Sequence, residues 1–405
     1  MAINQEKPSF GLLDGVKVVY AAVELAVPKA ASMFADWGAD VTWLENTGAG
    51  DTIRDTPYIK QAERRNVRSL AVNYFSEEGK EIFFKLIKDA DIFIEASKGG
   101  AWARKGITDE VLWEINPKLV IVHVSGFGQT GDSKMVKRAA YDLTVMAYSG
   151  YMSQNGTQEQ PMNPGPYAGD YFNTLFIASS SLAALYHAEK TGQGEGIDLA
   201  MYETLMYIGQ YYLVDYLNEG ILWPRPGARN QNLCGIGEYK CKDGFLGVCL
   251  YGVDQNKYFL ESIGLGHLWG TEDIPEDCSA LWLSNPHAQE IESKFEEYCA
   301  ARSKYDIEED FADHRIAVQV MNEIPDLLNE EHLKLRNNWT EWETADGDTF
   351  KGLDILPKFK NNPGKIWRPM PHQGEDGPYI LDKLGYSAEE IEKLKADGII
   401  KVVEE

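Results

Sequence analysis

The first 125 residues alternate in a way that leaves few folds open. Short β-branched, apolar runs at 16–20, 40–45, 91–95 and 119–124 are separated by stretches with helical spacing. The run 119–124 is apolar at every position except His123. A strand that is apolar on both sides needs cover on both sides, and parallel strands joined by helical crossovers supply it. The intervening segments carry their own start signals. Pro28 stands near the head of a helix-like stretch at 28–37. Ser76 precedes 77–89, where Ile82, Phe83, Leu86 and Ile87 fall on one face, and Thr108 precedes 109–115. The expected fold class is α/β, with a Rossmann-like parallel sheet.

Further along, the apolar and small-residue run 173–186 predicts a buried helix. A strand at 197–200 and a long Tyr- and Met-rich helix to about residue 217 follow. Residues 221–237 are rich in Pro, Gly and Asn and read as a linker. Then 238–249 reads as a hairpin turning at Asp243-Gly244. Helices are expected at 255–264, 287–301 and 307–314. The tail should hold one helix, a hairpin at Asp346-Gly347, and a last helix 388–396 capped by Ser387. This gives a large domain from 1–224 with 331–405, and a smaller α+β domain at 225–330.

The net charge is −24, so nucleic acid and anionic membranes are poor partners. The five cysteines are odd in number with no C-x-x-C pair, which argues against a disulfide framework or zinc site. The seven histidines are scattered, and no metal is expected. No apolar run approaches the roughly 18 residues of a membrane span. The N-terminus lacks the basic and apolar parts of a signal peptide, so a cytoplasmic protein is expected.

Three motifs carry possible chemistry. Gly126-Phe-Gly-Gln-Thr-Gly131 matches G-x-G-x-x-G after a strand, but polar residues follow it in place of an apolar helix, which speaks against a dinucleotide site. Lys98, Arg104 and Lys105 surround paired glycines in a loop leaving a strand. Such a loop suits phosphates, or is simply solvated surface. Asp170 stands alone between Gly169 and two aromatics at the mouth of the apolar helix. An Asp there is commonly an N-cap, and it can also be a nucleophile kept ionised by the helix N-terminus.

Several segments resemble the class III CoA-transferases nearly end to end. They include LDGVKVV at 13–19, FADWGADVTWLE at 34–45, SGFG at 125–128, AGD at 168–170, KTGQG at 190–194 and GYSAEEI at 385–391. EASKG at 95–99, GITDEVLW at 106–113 and PKFKNNPGKIWR at 357–368 are similar to the branch that moves CoA between crotonobetaine or γ-butyrobetaine and L-carnitine. The resemblance implies that Asp170 is the nucleophile, passing through a mixed anhydride and an aspartyl-CoA thioester. It implies that Lys98, Arg104 and Lys105 hold the phosphates of CoA, and that Gly-rich loops supply N–H groups to the oxyanions. CoA and acyl-CoA would be substrates, with a small carboxylate as partner, no tightly bound cofactor, and an interlocked homodimer as the assembly.

The chain departs from the family pattern at Val27-Pro28, where Gly-Pro is usual, and at Arg104-Lys105, where the branch has two Arg. The family's Gly-rich lid has only Cys234-Gly-Ile-Gly237 as a counterpart. Another carboxylate as acceptor is one alternative. An α-methylacyl-CoA racemase is another, but Tyr141 stands where racemases carry their His base. The tyrosines 207, 211, 212 and 216, with Trp223, could hold a quaternary ammonium, although helical spacing alone would pack them between helices.

Overall fold

The structure, a computed structural model, describes residues 6–403. Strands β1 (Lys17–Ala21), β2 (Asp40–Glu45), β3 (Arg68–Val72), β4 (Ile92–Ala96), β5 (Val120–Ser125) and β6 (Gly196–Ala200) form one parallel sheet in the order β3-β2-β1-β4-β5-β6. The short strand Ile400–Lys401 extends it antiparallel to β3. Helices α1 (Ala26–Asp36), α2 (Glu77–Asp89), α3 (Asp109–Ile115), α4 (Asp142–Tyr148) and α5 (Ala168–Thr191) belong to the same unit. Ser76 and Thr108 cap α2 and α3 by accepting from Gly79 and Val111 N–H. Strands β1, β3, β4 and β5 are buried along nearly their whole length, as their composition demands. Strand order reverses between β1 and β4, the place where open parallel sheets hold ligands.

The described residues divide into two compact units. The larger comprises the chain up to Gly150, Gly165–Ile208, and the chain from Leu333 onward. The smaller is Tyr151–Pro164 with Gly209–His332. In the larger unit the C-terminal segment is stitched to the sheet region by buried polar contacts. Arg65, paired with Asp36 at 2.7 Å, donates to the Leu353 carbonyl at 2.9 Å, and Arg68 of β3 meets Asp376, itself paired with Arg368, at 3.5 Å. Asp376 also accepts the Ser69 N–H of β3 at 2.9 Å. The smaller unit has an antiparallel sheet of Ile236–Cys241, Gly244–Cys249 and Ala317–Val320. Helices Val253–Ser262, Ala288–Ala300 and Lys304–Asp313 cover a core around Tyr239, Phe259, Phe295 and Phe311.

Two expectations change. The apolar helix α5 is buried along one stripe, through Thr174, Ile177, Ala178, Ser181 and Leu185, but its other face leaves Leu175 57% and Tyr186 59% exposed. The long Tyr-rich helix is two helices, Met201–Ile208 and Gln210–Glu219, broken at Gly209. Tyr207, Tyr211 and Tyr216 are each more than half exposed, and among the described residues only Tyr207 of the three meets an aromatic ring of another helix, Phe176 of α5, edge-on at 5.6 Å. All five cysteines are free thiols. Cys234 lies in the core of the smaller unit, where Gly235 N–H donates to Glu292, so 234–237 is a packed strand entry. Among the described residues no helix is long and apolar enough to cross a membrane, and no cluster of His, Cys, Asp or Glu could hold a metal.

Candidate active site

A cavity of about 240 Å³ opens in the larger unit where β1, β4 and β5 end and the chain leaves β6. Its walls are the turn Val23–Val27, the segment Ala96–Lys98, the start of the loop after β5, and Ala139–Tyr141. Asp170 and Met201 complete it. Each strand delivers its wall because parallel strands all end at the same edge.

Helix α5 brings in Asp170. Thr174 Oγ1 donates to the Ala26 carbonyl at 2.9 Å, and Asn173 Nδ2 donates to the Gly169 carbonyl at 2.8 Å. These contacts fix the first turn of α5 beside α1. The N-cap position is Tyr167, in the left-handed conformation with φ 54° and no side-chain cap bond. Asp170 therefore lies inside the first turn and is not the cap. The capping carboxylate comes from α4, where Asp142 Oδ1 accepts the Asp170 N–H at 3.0 Å. Gly169 permits this approach, because a Cβ there would stand 2.8 Å from Asp142 Oδ1 and 3.1 Å from Met146. The Asp170 carboxylate itself makes no hydrogen bond among the described residues, and it faces the cavity.

The electrostatics run against the expectation that the helix N-terminus keeps this acid ionised. Burial, then the carboxylates of Asp142 and Glu24, push Asp170 from the ordinary 3.8 up to about 7. The helix dipole is outweighed because the group is mostly shut away from water and shares its surroundings with two other acids.

Of the three expected CoA-binding cations, Lys98 lines the cavity and is exposed. Arg104 is exposed but folds back, donating to the Gly99 carbonyl at 3.0 Å, and Lys105 lies 5.5 Å from the Phe75 ring. Arg138, which sequence reasoning passed over, also lines the cavity. No local signal marked it, since it is one charge in a polar stretch.

The Gly-rich loops pair with each other. Gly99 N–H donates to the Val136 carbonyl, Gly100 N–H to Gln129 Oε1, Gly128 N–H to Ser125 Oγ, and Gln129 N–H to the Asp198 carboxylate. Those four amides are taken within the loops, so an oxyanion served by these loops would draw on their other N–H groups. A Cβ on Gly99 would lie 2.3 Å from Val136 Cγ1, so only glycine lets the loops meet. After Gly131 comes the four-residue helix Ser133–Val136, too short to present a phosphate to its N-terminus.

Beneath the cavity wall, His123 of β5 bridges Glu95 of β4 at 2.7 Å and Asp109 of α3 at 2.9 Å. Burial alone would lower its pKa, but bonds to Asp109 and Glu95 raise it to about 10. It is a cationic brace between the strand ends and α3.

A doubly wound parallel sheet with a solvent-shy carboxylate in its switch-point crevice, and cations at the rim, defines an α/β protein equipped to handle an anionic ligand. Residues 13–377 match CoA-transferase family III, and the chain belongs to that family. It is 46% identical to an L-carnitine CoA-transferase of Proteus mirabilis (strain HI4320), over 98% of each chain. It is 45% identical to one from Proteus sp. (strain LE138), again over 98% of both. Among solved structures it shares its fold with a CAIB/BAIF family protein from Brucella suis, with TM-score 0.76 and 24% identity over 93% of this chain and all of the other. A Mycobacterium tuberculosis protein superposes with TM-score 0.79 and 20% identity over 92% and 99%.

Proposed function

We propose that this chain transfers CoA between a betaine acyl-CoA, γ-butyrobetainyl-CoA or crotonobetainyl-CoA, and L-carnitine, with Asp170 as the nucleophile. The observation that carries the reading is the Asp170 carboxylate, free of hydrogen bonds and facing the cavity, in a chain 46% identical to an L-carnitine CoA-transferase.

Asp170 attacks the thioester carbonyl, the C–S bond breaks, and a mixed anhydride and CoA thiolate result. The thiolate attacks the aspartyl carbonyl, releasing the donor acid and leaving an aspartyl-CoA thioester. The acceptor carboxylate attacks that carbonyl, forming a second anhydride and again freeing the thiolate. Attack of the thiolate on the acceptor carbonyl gives the new acyl-CoA and restores Asp170. Every step exchanges one activated acyl bond for another, so no external energy source is needed. A pKa of about 7 leaves roughly half of Asp170 ionised at neutral pH. A cationic substrate beside it would favour the anion further.

Lys98, with Arg104 and Lys105 farther along the same loop, is assigned to the CoA phosphates, and the larger unit to CoA binding and catalysis. Nothing favours the racemase alternative, since residue 141 is a tyrosine and Asp142 is committed to the N-terminus of α5. The exposed Leu175 and Tyr186 on α5 support an interlocked homodimer, to be checked by sedimentation. A cytoplasmic location fits the free thiols.

The test is chemical trapping. Incubation with γ-butyrobetainyl-CoA followed by hydroxylamine should modify one carboxyl, and peptide mass mapping should find it at Asp170. A reproducible label on another acid such as Asp142 would overturn the assignment, and absence of carnitinyl-CoA formation would overturn the substrate.

A further inference from the structure

We propose that Glu24 determines specificity by holding the quaternary ammonium group of the betaine substrate; this rests on the betaine reading above. Among the described residues, Glu24 and Asp170 are the two carboxylates that line the cavity. A γ-trimethylammonio acid carries its carboxyl and its cation at opposite ends of one short chain. With the carboxyl end at Asp170, the cation must fall within the same small cavity.

The protein goes to some length to put a carboxylate there. Glu24 is a non-glycine residue with φ 64°, a strained conformation that persists where its surroundings over-determine it. Its N–H donates to both oxygens of Asp51, at 3.1 and 3.2 Å, and its carbonyl accepts from Arg64. Arg64 and Asp51 pair at 2.7 Å with both side chains buried. The Arg64 guanidinium lies 5.0 Å from the centre of the Trp43 ring, and Trp43 Nε1 donates to the Ala22 carbonyl, closing the turn. The Thr52 hydroxyl then donates to Glu24 Oε1, while Oε2 makes no hydrogen bond among the described residues.

Part of the remaining wall suits a trimethylammonium group, which offers charge and methyl surface but no N–H: Val23, Leu25, Val27 and Ala140 are apolar, and Tyr141 adds an aromatic ring. Lys98 and Arg138 also line the cavity and repel a cation, so with Asp170 engaged by the carboxyl end Glu24 is the lining group whose charge attracts the ammonium. The same carboxylate would repel a simple anionic acceptor as it approaches Asp170, whereas a zwitterion carries its own compensation. Specificity then comes from repulsion as well as attraction.

The experiment compares acceptors in Glu24→Gln and in the unaltered enzyme. The acceptors are L-carnitine, γ-butyrobetaine, and 5,5-dimethylhexanoate, in which a carbon replaces the charged nitrogen of γ-butyrobetaine. Glu24→Gln should raise KM for both betaines by about tenfold or more, change kcat by less than about threefold, and leave KM for the neutral acid level or lower. A variant that keeps the betaine preference overturns the proposal. So does one in which carnitine alone is affected, since that would point to the carnitine hydroxyl. If the unaltered enzyme transfers CoA to other acids but to neither betaine, the betaine reading itself falls. Thr52→Val is made alongside because it leaves the strained residue intact and removes only the hydroxyl that aims it. It should raise betaine KM about threefold without moving the neutral acid. An equal change for all three acceptors would overturn the proposal even if Glu24→Gln fails to fold.

Discussion

Asp170→Asn should abolish turnover and, above pH 7, make the protein more stable. The folded chain raises this carboxyl from 3.8 to about 7, first through burial, then through Asp142 and Glu24. Between those two values the folded state holds a proton that the unfolded state has lost. Native stability therefore falls as pH rises from about 4 to 7, and stays lowered above that. A displacement of about three pKa units at 1.36 kcal/mol each sets an upper bound of roughly 4 kcal/mol, and partial exposure of the group reduces it to about 1–3 kcal/mol. Asparagine cannot ionise, so the penalty disappears. Urea unfolding of both proteins at pH 4.5, 7 and 8.5 should show a difference that is smallest at the lowest pH, about a quarter of the full effect, and that grows in favour of the variant. In parallel, carnitinyl-CoA formation should fall by about three orders of magnitude or more, because an amide cannot form the anhydride. A variant less stable than the parent at pH 8.5 would refute the electrostatic argument, and retained turnover would refute the nucleophile.

His123→Gln should destabilise by about 2–4 kcal/mol at pH 6. The folded pKa of about 10 lies above the unfolded value, so the brace contributes fully below about pH 6.5 and is lost as pH rises through 10. The stability gap to the parent should accordingly shrink in unfolding curves at pH 10.5. Gly169→Ala would normally favour a helix, but its Cβ would meet Asp142 Oδ1 at 2.8 Å. It should cost about 1–3 kcal/mol in melting experiments and lower kcat by displacing Asp170. Lys98→Ala should raise KM for the CoA ester several-fold at low salt and by less at high salt, where the attraction it removes is already screened, with little change in KM for the carboxylate acceptor.

Local signals in the chain were enough for the elements whose causes are local. Ser76, Thr108 and Ser387 each cap the helix that follows within four residues, and the apolar runs became strands within a residue or so of their expected ends. The hairpins at Asp243-Gly244 and Asp346-Gly347 formed around their turn residues. Strand β3 was invisible because it opens with Arg68 and Ser69, which read as surface. Both are buried, since Asp376, more than 300 residues away, meets the Arg68 guanidinium and the Ser69 N–H. Asp170 stood out through its flanks and through the family resemblance. Its company did not, because Asp142 and Glu24 lie 28 and 146 positions away and are brought to it by α4 and by the turn after β1. That is also why the protonation expectation failed. A helix N-terminus can be read from neighbouring residues, and it favours the anion. Burial and the carboxylates of distant segments are properties of the packed chain, and here they weigh more.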